Sequence, residues 1–174
     1  MGATYIPIFC TAAVTVETLS EILHDAYYKG SEEQCKALIL VHDKNTLPSA
    51  REHKFVKNIE ATLPPVSDPP TSDFYGATIG QLVAHVQENT ESRTSGWTTG
   101  ACFLVADNQT LKDKSLNLVD CHRDYDGSCE SDVHFPSVRV ASDQADILAV
   151  NVEIANVGVG ELKDNADEDD VCRG

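Results

Sequence analysis

Short unbroken apolar runs alternate along the chain with segments whose apolar residues recur every three or four positions. Tyr5 to Phe9 reads as a buried strand. Val16, Leu19, Ile22, Leu23 and Ala26 then fall on one face of a helix, and Gly30 is suited to cap its C-terminus. Ala37 to Val41 predicts a second buried strand. Ser49 and Glu52 have capping-box spacing ahead of Phe55, Val56, Ile59 and Leu63, which predicts a helix that Pro64-Pro65 stops. Thr78 and Gln81 repeat that spacing before Ile79, Leu82, Val83 and Val86, a further helical face. Ala101 to Ala106, Leu116 to Val119 and the shorter Val138 to Ala141 read as strands. Ile147 to Ile154 fits both periods: Ile147, Val150 and Ile154 recur as in a helix, while Val150, Val152 and Ile154 alternate as in a strand. Gly158 and Gly160 weaken a helix starting there.

That order of elements predicts one α/β domain over residues 1–174, a layered sandwich with a mixed, mostly parallel sheet flanked by helices. The tight spacing between Ala106 and Leu116 places one antiparallel pair inside it. Residues 64–73 hold four of the seven prolines and form a surface loop. Residues 161–174 form an acidic closing segment.

Charge narrows the possible partners. The 174 residues carry 28 Asp+Glu against 13 Lys+Arg, a formal charge of −15. Without a compensating basic stripe, such an excess opposes phosphate backbones and anionic lipid, so neither nucleic acid nor a membrane surface is expected as a partner. Six cysteines could form three disulfides, but Cys10, Cys35 and Cys102 lie in or beside apolar runs, the setting of buried reduced thiols. The first sixteen residues are uncharged and lack a basic leader region, and no apolar stretch reaches the roughly 18 residues of a membrane span. A cytoplasmic location is expected. Asn108-Gln109-Thr110 matches a glycosylation pattern that would matter only after secretion.

Several apolar runs end in reactive side chains: Cys10-Thr11, His42-Asp43, Asp107-Asn108 and Asp120-Cys121-His122. The C-terminal ends of parallel strands share one sheet edge, where open α/β folds bind ligands. His42, Asp43, Asp120, Cys121 and His122 are therefore the candidate acid, base and nucleophile. His42 is the better base for Cys121, because adjacent residues on an extended backbone point to opposite sides. Cys121, His122, Cys129 and His134 are zinc-type ligands by chemistry, but no CxxC or HxxxH pair accompanies them, so no metal is expected. Trp97, the single tryptophan, sits in Ser95-Gly-Trp-Thr-Thr-Gly100, a small-residue loop that lacks a phosphate-binding lysine and precedes a strand. It is a candidate cover for a ligand, with Arg123 a candidate substrate contact.

The closing segment carries a resemblance. Ile154-Ala-Asn156, Glu161-Leu162, Ala166-Asp-Glu-Asp169 and Val171-Cys-Arg-Gly174 resemble the C-terminal signature of the family known as domain of unknown function 6924. Asn151, Asn156, Asp167, Glu168, Asp169, Val171, Arg173 and Gly174 fall on matching positions. Phe74-Tyr-Gly-Ala-Thr78 with Leu82, Phe103 to Asp107 and Leu116 to Asp120 resemble its middle segments. Asp170, Cys172 and Val150 depart from it, standing where the family has Gly, an aromatic residue and a second Asn. The resemblance brings no activity with it. It marks Asn151, Asn156 and Arg173 as candidate substrate contacts and implies that the acidic end is a defined element, in which Arg173 pairs with neighbouring carboxylates or with an Asp at a strand end.

Two functions follow as expectations. One is a small cofactor-independent enzyme that moves protons on a small-molecule substrate, as an isomerase, cyclase or lyase does. The other is a noncatalytic acidic module that binds a basic protein partner, in the manner of an inhibitor or immunity protein.

Overall fold

The computed structural model describes residues 5–30, 35–44, 60–67, 71–89, 100–121 and 135–174. Six strands form one mixed sheet in the order β2-β1-β3-β4-β5-β6: β1 (Ile6–Cys10), β2 (Leu38–Val41), β3 (Cys102–Ala106), β4 (Leu116–Asp120), β5 (Ser137–Val140) and β6 (Val171–Cys172). β1 pairs in parallel with β2 and β3, and β5 with β6. β4 runs antiparallel to both its neighbours. The expected α/β sandwich is thus the observed one. Its antiparallel β3–β4 pair turns over a single helical turn, α3 (Thr110–Asp113), as the short spacing requires.

Helices cover both faces. Leu19, Ile22, Leu23 and Ala26 of α1 (Val16–Tyr28) pack in one core with Leu148, Ala149 and Val152 of α4 (Ala145–Glu153) and Val159 and Leu162 of α5 (Val159–Asp164). Leu82, Val83 and Val86 of α2 (Ile79–Asn89) join Phe9, Phe74 and Phe103 in a second core across the sheet. All residues of β1, β2 and β3 are buried, whereas β5 alternates buried and half-buried. That difference explains why β1 to β3 read as unbroken apolar runs and β5 reads weakly.

Local chemistry sets the helix ends. Thr15 caps α1 by accepting the Thr18 N–H at 3.2 Å. The expected capping box at α2 forms: Thr78 N–H donates to Gln81 Oε1 at 2.9 Å and Gln81 N–H donates to Thr78 Oγ1 at 3.3 Å. The ambiguous stretch after Ala145 is helical. It ends on Ala155 at φ 56°, with Ala155 N–H donating to Val152 O at 3.0 Å and Asn156 N–H to Asn151 O at 2.8 Å. This pair of bonds is a Schellman-type stop built without glycine.

Two expectations need correction. Gly30 is not a left-handed cap, since α1 ends on Lys29 in the right-handed region. It is a point of close approach, because a Cβ there would lie 2.1 Å from the carbonyl oxygen of Asp143. Residues 60–63, the end of the expected third helix, instead run beside β2. Thr62 N–H donates to Leu38 O and Leu40 N–H to Thr62 Oγ1, both at 2.9 Å. The following proline disfavours helix, and the edge of β2 offers unmet backbone groups. The rest of that helix, from Ser49, lies outside the described residues. The acidic end is a defined element, as the resemblance implies: Asp167 N–H donates to Val171 O at 3.1 Å within its closing turn, and Ala141 N–H donates to Cys172 O at 3.0 Å where β6 joins β5.

Two outcomes are expected. Gly30→Ala drives a methyl into backbone that cannot yield, so it lowers stability by about 1–3 kcal/mol, read as a lower denaturant midpoint at unchanged slope; an unchanged midpoint refutes the close-approach reading. The hydrogen bonds from Arg173 hold the Asp169 carboxyl at about 2, below its ordinary 3.8. A lowered carboxyl pKa stabilises the fold above the unfolded value, and that contribution fades as pH falls from 3.8 towards 2. Backbone NMR over that window therefore registers the release of Asp167 to Gly174, ahead of β1 and β3.

Candidate functional site

Parallel pairing puts the C-terminal ends of β1, β2 and β3 on one edge of the sheet. The chain leaves β1 for β2 through α1 on one face and reaches β3 through α2 on the other. The direction of winding therefore switches between β1 and β3, and the space beyond such a switch is the usual place for a ligand in such sheets. Here it is partly filled by Ser72 to Gly76. Ser72 Oγ donates to Cys10 O, Gly76 N–H to Thr11 O and Asp73 N–H to His42 O, each at 2.9 Å. Phe74 anchors this strap, with ring centroids 4.9 Å from Phe9 and 5.0 Å from His85. Burial lowers the pKa of His85, with Lys44 acting in the same direction and Glu88 against it.

His42 and Asp43 stand at this edge, directly after β2. His42 Nδ1 is buried without a hydrogen-bond partner among the described residues. Asp107, at the end of β3, is already engaged: Arg139 reaches its two carboxylate oxygens at 2.7 and 2.9 Å and bonds Ser115 Oγ through Nε at 2.9 Å. Thr110, fully buried, donates to Ser115 O at 2.7 Å, so this cluster ties β3, α3, β4 and β5 together. The glycosylation pattern ends on that buried threonine.

The antiparallel run of β4 overturns the expected shared edge. Asp120 pairs with Cys102, the first residue of β3, and Cys121 N–H donates to Ala101 O at 2.7 Å. Asp120 and Cys121 consequently lie at the edge opposite His42 and Asp43. Burial, reinforced by Asp120, pushes the Cys121 thiol up to about 12, and burial does the same to Cys10. Burial also raises the Cys102 thiol. All three stay protonated near neutral pH, which removes the thiolate that nucleophilic catalysis needs. His122, Arg123 and Trp97 lie outside the described residues, as do Cys129 and His134 of the zinc reading. Among the described residues no three His, Cys, Asp or Glu side chains converge to hold a metal ion.

Asn151 and Asn156 mark the end of α4, bonded to each other through backbone and, at 3.4 Å, through their side chains. Arg173 pairs with its neighbours: Nη1 meets Asp167 Oδ2 at 2.6 Å and Nη2 meets Asp169 Oδ2 at 2.6 Å. The pairing fixes the turn that feeds β6.

One arrangement had no warning in the hydrophobic pattern. Asp146, 1% exposed, accepts the N–H groups of Cys35, Lys36 and Ala37, each at 2.9 Å. A lone Asp in the first turn of a helix signals only a favourable macrodipole contact, because its partners lie more than a hundred residues away in sequence. A second feature is equally unforeseen. It is a groove of about 500 Å³ on the outer face of α1, away from the strand ends, with Pro64 and Pro65 as one wall. Among the described residues no helix is long and apolar enough to cross a membrane.

Comparison with known proteins gives one match. No curated protein and no solved structure matches the chain. The model of a family described as Domain of unknown function (DUF6924) matches residues 42–174. That span takes in the crevice strap, the Arg139 cluster and the closing clasp of Arg173, and on it the chain belongs to the DUF6924 family.

Proposed function

We propose that the chain is an acidic interaction module that binds a basic protein partner. The supporting observation is how its cations are used. Lys29 is bound to Asp25 at 2.7 Å, Lys114 to Glu21, Arg139 to Asp107 and Arg173 to Asp167 and Asp169. These pairs take up four of the eight described lysines and arginines, so the carboxylates that remain outnumber the cations left to meet them. In the closing segment Glu161, Asp164, Glu168 and Asp170 are all exposed. Uncompensated surface charge accelerates encounter with a partner of opposite sign and selects against others.

Salt dependence tests the proposal. The on-rate for a basic protein recovered with the chain from its own cells should fall on the order of tenfold from low to physiological ionic strength. A salt-independent on-rate, or recovered partners with acidic surfaces only, overturns it.

The orphaned Nδ1 of His42 favours a second reading, proton transfer on a small molecule at the crevice edge. A buried polar atom without a partner among the described residues is what a ligand group or a water would complete. On this reading a small molecule that shifts the His42 ring signals in NMR binds the wild-type chain and loses affinity for His42→Phe. Equal affinity for the two chains removes His42 from the site.

A further inference from the structure

We propose that the strap from Ser72 to Gly76 is an acid-released cover over the ends of β1 and β2, with the imidazole of His85 as its trigger. The inference is independent of both functional readings above, because it concerns what lies over the strand ends and not what binds there.

The strap is held by a polar part and an apolar part. The polar part is a short set of hydrogen bonds: Ser72 Oγ to Cys10 O, Gly76 N–H to Thr11 O and Asp73 N–H to His42 O, each at 2.9 Å. Lys44 N–H adds a longer bond to Asp73 Oδ2 at 3.2 Å. Exchanged against bonds to water, these hold the strap only modestly. The apolar part is one side chain, since Phe74 is the buried residue of the five, at 3% exposure. Its ring meets Phe9 edge-on at 4.9 Å and His85 at 5.0 Å, and His85 lies 6.1 Å from Phe9, which closes a three-ring cluster. The seat of Phe74 therefore has one permanently apolar wall and one that can take a charge.

His85 stands on α2 with its Nε2 shielded from solvent. A neutral imidazole suits such a seat, whereas an imidazolium in it loses hydration. Burial, aided by Lys44 just past β2 and opposed by Glu88 on the same helix, holds the His85 pKa below its ordinary 6.5. β1 presents only the Phe9 ring to it, and from the strap the Asp73 carboxylate accepts the Lys44 N–H. A lowered histidine pKa favours the closed strap fully above 6.5, and that contribution is lost as pH falls below 6.5. The charged ring regains water most cheaply by shedding Phe74, because α2 itself is fastened through buried Leu82, Val83 and Val86. Acid thus opens the strap ahead of the sheet and bares the carbonyls of Cys10, Thr11 and His42.

Hydrogen exchange of the full chain, read by NMR as protection factors at pH about 7.5 and about 5.5, tests the proposal. The Asp73 and Gly76 amides should lose protection on the order of tenfold at the lower pH, the change that one unit of pKa coupling produces, while the β1 and β3 amides keep theirs. The midpoint should coincide with the titration of the His85 ring signals. His85→Phe keeps a ring that cannot charge and should abolish the pH dependence, and His42→Phe should leave it in place. Phe74→Ala should leave the strap amides poorly protected at both pH values. Thermal melts check that each variant is folded, and His85→Gln replaces His85→Phe if the larger ring does not pack. Strap amides equally protected at both pH values overturn the proposal, as do amides better protected in acid, which an imidazolium held on the Phe74 ring would produce. A pH dependence that survives His85→Phe, that disappears with His42→Phe, or that β1 and β3 share equally overturns it as well.

Discussion

Asp146 joins the two halves of the chain. β2 is an edge strand, and the three residues that lead into it turn consecutive N–H groups towards one point. The N–H of buried Ala37 needs an acceptor there, since an unpaired buried N–H costs as much as a lost hydrogen bond. One carboxylate, in the first turn of α4, meets all three at 2.9 Å. A buried carboxylate is itself costly unless it is hydrogen-bonded, so each side of this contact requires the other. The contact brings α4 against the start of β2, with α1 packed between β2 and the Ser142–Gln144 turn that leads into α4. Gly30 then has to pass beside the carbonyl of Asp143 with no room for a side chain. Tyr27 adds a second tie on the same side by donating to Leu38 O at 3.1 Å.

The reversal at β4 has the larger consequence for function. Had β4 been parallel, Asp120 and Cys121 would have emerged beside His42 and Asp43. A parallel connection needs a crossover of about a dozen residues or more, and only Asp107 to Ser115 separates β3 from β4. The short link forces the antiparallel return, and the network of Asp107, Thr110, Asp113, Ser115 and Arg139 fastens it. Arg139 commits Nε, Nη1 and Nη2 of its guanidinium group to that turn, which leaves Asp107 occupied as a brace at the strand edge.

Which features the sequence discloses follows from the range of the interactions behind them. β1, β2, β3 and the capping box of α2 depend on neighbours a few residues away or on burial of both faces, so apolar runs and capping spacing reveal them. The antiparallel β3–β4 pair was legible for the same reason, from loop length alone. The Asp146 cup was hidden because its partners are distant in sequence, and Gly30 misled because a glycine after a helix suits either a left-handed cap or a close approach. Residues 60–63 failed as helix because β2 offered them an edge to follow. The site was less legible than the fold, since a residue's place at a strand end reads from sequence but the direction of that strand does not. His42 and Asp43 were placed at the expected edge, and Asp120 and Cys121 were not.

The distribution of the −15 charge separates structural from available acidity. Asp146, Asp107, Asp167 and Asp169 each hold a named piece of the fold, and a charge spent in this way is poorly available to a partner. Arg173 shows the logic at small scale: it takes two carboxylates from the acidic end and converts them into a turn that lays Val171 and Cys172 beside β5. What such clasps leave over differs from place to place. At the closing segment Glu161, Asp164, Glu168 and Asp170 stay exposed. Along α1, by contrast, Glu21 and Asp25 are already met by Lys114 and Lys29, and the Asp25 side chain is only 17% exposed. Local pairing has thus absorbed acidity on α1, and the uncompensated surplus lies in the closing segment, beyond the two carboxylates that Arg173 takes.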